Sequence, residues 1–186
     1  MSGHNKWSQI KTKKGATDKK RGNLFGKLLK AISIAARDEH PPASKGRGSP
    51  SSTGRQFNPR LRSAIEKAKE NNVPQENIDR AVSKASEEKD LEEVVIEAYG
   101  PEGVAIIIEG ITDNKNRTTS EIRHILDLQG AKMANPGSVL WSFDKTETGW
   151  QPKFKQSVSQ DTIDKISQIT ETLEEHDDVQ KITVNI

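Results

Sequence analysis

Val94-Val95-Ile96-Glu97-Ala98-Tyr99-Gly100-Pro101-Glu102-Gly103-Val104-Ala105-Ile106-Ile107-Ile108-Glu109-Gly110-Ile111, residues 94–111, is the stretch in which the chain changes its period. Two runs rich in β-branched residues, Val94–Tyr99 and Val104–Ile111, flank Gly100-Pro101-Glu102-Gly103, a pattern that predicts a β-hairpin. The sequence before this hairpin has helical spacing, and the sequence after it mixes strands with helices. The expected fold class is therefore α+β, with a helical domain in residues 1–86 and a mixed domain in residues 92–186.

Toward the N-terminus, Leu24, Leu28, Ile32 and Ala35 fall near one helix face, flanked by Phe25, Leu29 and Ala36. This spacing predicts a helix from about Thr17 to the neighbourhood of His40-Pro41-Pro42, because proline disfavours helix at the residue before it. Residues 1–22 are polar apart from Trp7 and Ile10, and read as a flexible, lysine-rich start. Residues 41–57 are rich in Pro, Ser and Gly and carry Lys45, Arg47 and Arg55, which predicts a flexible basic loop. Their glycines lack the GxxxxGK[ST] spacing of a phosphate-cradling loop. Asn58-Pro59 supplies a helix cap and a first-turn proline, followed by a stripe of Leu61, Ala64, Ile65 and Ala68. Asn71-Asn72 ends that helix, and Pro74 opens a third that carries Ile78, Ala81, Val82 and Ala85. Three such stripes can be buried together as a three-helix domain.

Toward the C-terminus, a helix is expected from about Asn116 to Leu128, with Gly130 beyond its end. Ser138–Phe143 and roughly Lys153–Val158 read as strands, Ile163, Ile166, Ile169 and Leu173 mark a helix, and Val179–Val184 alternates as a final strand. From Val104 onward the expected order is βαββαβ, the ferredoxin-like arrangement.

Charge is divided unevenly between the two regions. Residues 1–69 hold 17 Lys and Arg against 4 Asp and Glu, a net +13. Residues 70–186 hold 12 against 23, a net −11, and the two sum to the +2 of the whole chain. A basic first region joined to an acidic remainder points the first region at a polyanion. The chain has no cysteine, which excludes disulfides and thiol chemistry and suits a reducing cytoplasm. No apolar run is long enough to cross a bilayer, and Met1-Ser2-Gly3-His4-Asn5-Lys6 does not open a secretory leader. The expected location is the cytoplasm, with no membrane partner.

Catalysis finds little support. His4, His40, His124 and His176 show no ligand pairing such as HxxxH, and no Gly-x-Ser-x-Gly elbow occurs. The reading is a non-enzyme with no catalytic residue, no metal and no cofactor. The segment from His4 to Arg21 has another character: lysines neutralise phosphates without regard to sequence, and Trp7 can stack on an unpaired base. Packing of Trp7 with Ile10 on the following helix explains that tryptophan equally well. The candidate nucleic-acid contacts are His4, Asn5, Lys6, Trp7, Lys11, Lys13, Lys14, Lys19, Lys20 and Arg21, with Arg60 and Arg62 on the second helix. A second stretch, Asp113-Asn114-Lys115-Asn116-Arg117-Thr118-Thr119, lies at a strand-to-helix turn. Lys115 and Arg117 there could bind an anion at a helix N-terminus, while capping by Asp113, Asn114 or Asn116 accounts for the same residues.

These motifs together resemble the YebC/PmpR family, which includes a mitochondrial translational activator of cytochrome c oxidase. The resemblance rests on Gly3-His4-Asn5-Lys6-Trp7, Lys19-Lys20-Arg21-Gly22 with Phe25-Gly26-Lys27-Leu28, and Asn58-Pro59-Arg60-Leu61-Arg62 with Ala64-Ile65. It continues through Tyr99-Gly100-Pro101, Thr112-Asp113-Asn114-Lys115-Asn116-Arg117-Thr118 with Ser120-Glu121 and Arg123-His124, and Pro136-Gly137-Ser138-Val139. It implies a helical N-terminal domain followed by α+β domains, in a non-enzymatic regulator of transcription that binds DNA. The alternative it implies is a ribosome-associated translation factor that contacts ribosomal RNA and relieves stalling. Three features depart from the family pattern. A third domain looks missing, since the chain passes from Trp150-Gln151-Pro152 almost directly to the closing helix and Asp177-Asp178-Val179-Gln180. The 41–57 loop looks longer than usual, and Asn5 stands where the family usually has Ser. From a different class, the acidic domain could instead bind a protein partner while the N-terminus only adds solubility.

Overall fold

The computed structural model describes residues 3–37, 58–85, 90–146 and 149–186, with the backbone alone for residues 3–19. The loop expected at 41–57 lies outside the described residues. Two compact units divide the chain, Met1–Lys89 and Asp90–Ile186. Among the described residues, no helix is long and apolar enough to cross a membrane.

The first unit contains α1 (Gly3–Arg37), α2 (Pro59–Glu70) and α3 (Gln75–Lys84). Their stripes meet in one cluster that includes Leu28, Ile32 and Ala35 of α1, Leu61 and Ala68 of α2, and Ile78 and Ala81 of α3. Asn58 caps α2 by accepting the Leu61 backbone N–H at 3.1 Å. Its amide also donates to the Ala35 carbonyl at 2.8 Å, which ties the start of α2 to the last turns of α1. Asn72, in the left-handed region at φ 59°, turns the chain into α3. One expectation is corrected here: α1 begins at Gly3, not near Thr17. Starting a helix is the costly step, and the packed turns around Leu28 and Ile32 supply that start. The preceding segment has no proline and many good helix formers, so it extends the helix without needing an apolar stripe of its own.

The second unit opens with β1 (Glu92–Tyr99) and β2 (Ala105–Thr112), joined by a short helical turn at Pro101–Gly103. There follow α4 (Lys115–Leu128), β3 (Lys132–Met133), β4 (Phe143–Thr146), β5 (Gly149–Pro152), α5 (Gln160–Glu174) and β6 (Val179–Val184). A four-stranded antiparallel sheet has the order β3-β1-β2-β6, and β4 and β5 pair separately as a hairpin. In the hairpin register Ile96 faces Ile108 and Ala98 faces Ile106. These four residues pack with Ile122 and Leu126 of α4 and Ile166, Ile169 and Leu173 of α5. On the opposite face, Ala105 and Ile107 meet Val139 and Phe143, with Leu140 and Trp150 beside them. Gly100 lies against the core where β1 leaves the sheet, and a Cβ there would stand 2.5 Å from Ile166 Cδ1, so that side chain would have to shift.

The fold class is α+β, as the change of period implies, but the strands are partly reassigned. The four sheet strands and their helices follow one another as ββαβαβ, instead of the βαββαβ expected from Val104, because β1 is an interior strand and β3 forms one edge. Ser138–Phe143 is not a strand: Leu140–Ser142 forms a helical turn, and β4 starts only at Phe143. The cause is Glu97, whose carboxylate accepts the backbone N–H groups of Gly137 and Val139, each at 2.5 Å, and of Leu140 at 2.9 Å. Donors engaged in this way are withdrawn from any ladder. The strand expected at 153–158 lies earlier, at β5. Beyond it, Gln156 is held by the Asn185 carbonyl and donates its side-chain amide to the Glu102 carbonyl.

Candidate nucleic-acid interface

Along α1, Lys6, Lys13, Lys20 and Lys27 recur at intervals of seven residues, close to two helical turns. The side chains of His4, Asn5, Lys6, Trp7, Lys11, Lys13, Lys14 and Lys19 lie outside the described residues. Lys20 and Arg21 are described and exposed. The Arg21 guanidinium sits 5.1 Å from the centre of the Phe25 ring, which steadies the cation on the helix surface.

A cleft of about 410 Å³ opens between α1 and α3. Gly26, Lys30 and Ser33 form one wall, and Asn77, Arg80 and Lys84 the other. Small residues make this space. A Cβ placed on Gly26 would meet nothing within 4 Å, and the Ser33 hydroxyl donates to the Ala81 carbonyl at 3.4 Å. Three cations line the cleft, and one of them, Arg80, also pairs with Glu76 at 3.0 Å. Concave, basic and partly polar, such a surface is suited to a phosphate backbone.

The candidate residues are not all brought together. Arg60 and Arg62 are exposed on the first turn of α2. The bond from Asn58 to Ala35 puts that turn beside the C-terminal end of α1, about 20 Å along the helix axis from Lys20 and Arg21. Lys30, Arg80 and Lys84 are absent from the set drawn from the sequence. Arg80 and Lys84 carry a legible signal, a pair of cations four residues apart, but their cleft exists only once α1 and α3 pack together.

Of the two candidate anion ligands, Lys115 is exposed at the start of α4 and Arg117 is engaged by carboxylates. Asn114 caps α4 by accepting the Arg117 backbone N–H at 3.1 Å. The Arg117 guanidinium donates to Asp113 at 2.7 Å and to Asp178 at 3.0 Å, and lies 3.9 Å from Glu121. Hydrogen bonding to Asp178, and secondarily to Asp113, raises its pKa further above the ordinary arginine value. Asp178, only 3% exposed at its side chain, also accepts the Thr118 hydroxyl at 2.6 Å. Its backbone N–H donates to Nδ1 of His176, whose Nε2 therefore carries the proton directed at Glu121, 3.0 Å away. Among the described residues, Glu121, His176 and Asp178 bring donor atoms of a metal-ligating type within 4.8 Å of one another. The Arg117 guanidinium lies against two of them, 3.0 Å from Asp178 and 3.9 Å from Glu121, so a cation already occupies one side of the grouping.

Comparison with known proteins fits this division into units. Residues 5–88 match the family described as TACO1/YebC protein N-terminal domain, and residues 91–148 match TACO1/YebC second and third domain. A relative from Thermoanaerobacter pseudethanolicus, named "Probable transcriptional regulatory protein", is 51% identical over 148 residues, covering 78% of this chain and 55% of the relative. A protein of the same name from Chlorobaculum parvum is 46% identical over 166 residues, covering 88% of this chain and 61% of the relative. The chain thus spans little more than half the length of these curated relatives. The crystal structure of a conserved hypothetical protein from Aquifex aeolicus superposes with a TM-score of 0.75 at 30% identity, covering 89% of each chain.

Proposed function

The chain belongs to the TACO1/YebC family, and from that premise we propose that it is a non-enzymatic regulator of gene expression that acts in the cytoplasm by binding nucleic acid through its helical unit. The observation that carries this reading is the basic surface of that unit: Lys20 and Arg21 exposed on α1, and a cleft that gathers Lys30, Arg80 and Lys84. The names of the relatives favour transcription, and hence duplex DNA, as the first target.

A second target, structured ribosomal RNA in a translation factor, is favoured by the form of α1. It runs unbroken from Gly3 to Arg37 and carries cations at regular intervals, without base-reading side chains gathered on one short recognition helix. The deciding experiment titrates the full chain with duplex DNA and with structured RNA at increasing salt, and compares cosedimentation with ribosomes against DNA pull-down from the same lysate. Affinity should fall steeply with salt, and replacing Lys13 and Lys14 by Ala should reduce the logarithmic slope by about two. A slope near zero would remove the electrostatic basis of the reading.

A further inference from the structure

The second unit carries a surface that neither its core nor the Arg117 lattice explains. The chain has three Trp, four Phe and one Tyr, yet Trp141 is 63% exposed, Phe154 59% and Tyr99 38%. These three rings form a connected group. Trp141 and Phe154 have ring centres 6.3 Å apart, inclined by 48°. The Trp141 indole N–H and the Tyr99 hydroxyl both donate to the Ser138 carbonyl, at 2.8 and 2.7 Å. Ser138 is itself fixed, since its hydroxyl and backbone N–H both donate to the Asn135 carbonyl, and its loop hangs on Glu97. The polar edges of Trp141 and Tyr99 are thus tied down while much of each ring stays in solvent.

Two lysines are placed beside this group and a third follows it in sequence. Lys132 is the register partner of Tyr99 across the β1–β3 pair and is exposed. Lys153 reaches the Trp141 carbonyl at 3.0 Å and pairs loosely with Asp144 at 3.5 Å. Lys155, exposed, follows Phe154. Protein-binding patches are depleted in lysine and favour arginine among the cations. Anchored rings among lysines instead match the way unpaired bases are held, with the rings stacking on bases and the ammonium groups meeting the phosphates.

We propose that Trp141, Phe154 and Tyr99, with Lys132, Lys153 and Lys155, form a stacking platform for single-stranded nucleic acid in the second unit. The platform stands on observations independent of the α1–α3 cleft, and it differs in its preference: it needs unpaired bases, whereas the cleft needs only phosphates.

The test uses the full chain and fluorescence anisotropy with three labelled probes of about 12 nucleotides, a length one compact domain can cover: oligo-uridine, oligo-deoxythymidine and a duplex. Trp141→Ala and Phe154→Ala should each weaken single-strand binding roughly tenfold, the effect of losing one stacked base, and leave duplex binding unchanged. Trp141→Phe, which keeps a stacking face, should recover most of the affinity. Phe154 makes no side-chain hydrogen bond to lose, so its variant reports on stacking even if Trp141→Ala is destabilised. Equal losses on both single strands, or a loss on the RNA alone, support the platform. Single-strand affinity unchanged in the folded Phe154→Ala and Trp141→Ala variants overturns it, as does a changed oligomeric state with unchanged oligonucleotide binding. Wild-type protein that binds duplex but neither single strand overturns the platform alone, whereas failure to bind any probe overturns this proposal and the basic-surface reading together.

Discussion

The Thr118 hydroxyl lies 2.6 Å from the Asp178 carboxylate, joining the first turn of α4 to the residue before β6 across 60 positions of sequence. The same oxygen, Oδ2, also accepts the Arg117 guanidinium at 3.0 Å. Gly110 permits this approach, since a Cβ there would stand 2.9 Å from the Asp178 carbonyl oxygen, which accepts the Ile111 backbone N–H at 2.8 Å.

Asp178→Ala should therefore destabilise the second unit by about 2 kcal/mol. This is less than for a fully buried pair, because Arg117 remains partly solvated. Asp178→Asn, which keeps an acceptor for Thr118, should cost about half as much. Urea unfolding of the full chain measures both, and indistinguishable midpoints would show that the lattice contributes nothing to stability.

Glu102 gives the fold a defined response to acid. Hydrogen bonds from Ser159 and then Thr162 hold its pKa below the ordinary glutamate value, at the N-terminus of α5. A lowered folded-state pKa stabilises above the unfolded value, and this contribution is lost as pH falls through the folded one. The wild-type chain should thus lose stability from about pH 4.3 downward, and Glu102→Gln should show a shallower loss over the same window. Thermal melts across that window test it, and parallel curves would assign no role to this cap.

Glu97→Gln replaces one carboxylate oxygen with a donor, although three backbone N–H groups converge on the carboxylate. Hydrogen exchange at Gly137, Val139 and Leu140 should accelerate by at least about tenfold, the equivalent of 1.4 kcal/mol of local opening. Exchange in β1 and β2 should change far less. Uniform acceleration across the unit would mean that Glu97 supports the whole sheet and not one turn.

Gly26 separates stability from binding. Replacing a mid-helix glycine with alanine should raise the stability of the first unit by about 0.5–1 kcal/mol, since the added methyl meets nothing. Gly26→Glu places a negative charge in the basic cleft and should weaken binding to duplex DNA severalfold while the helix persists. Unchanged binding in Gly26→Glu would exclude the cleft from the interface.

What the sequence made legible was local. Asn58-Pro59 announces α2 because cap and proline act within one turn, and the polar run Asp113 to Asn116 announces a capped helix, with Asn114 as the residue that caps α4. The hairpin and α5 were readable because their apolar periods are uninterrupted. Ser138–Phe143 was misread because its amides answer to Glu97, some 40 positions away, a partner that alternation cannot reveal. The pairing of Arg117 with Asp178 was hidden for a similar reason, as the two stand 61 positions apart. Polarity concealed the beginning of α1, and the cleft needed two helices side by side.

The amide of Asn58 bonded to the Ala35 carbonyl brings an engineering consequence. The end of α1 and the start of α2 are clasped together, so the chain joining Arg37 to Asn58 closes a circuit whose terminals are already fixed. An epitope or fluorescent label joined at either terminal would thus sit beside a fixed point of the three-helix core, where its position reports on that core.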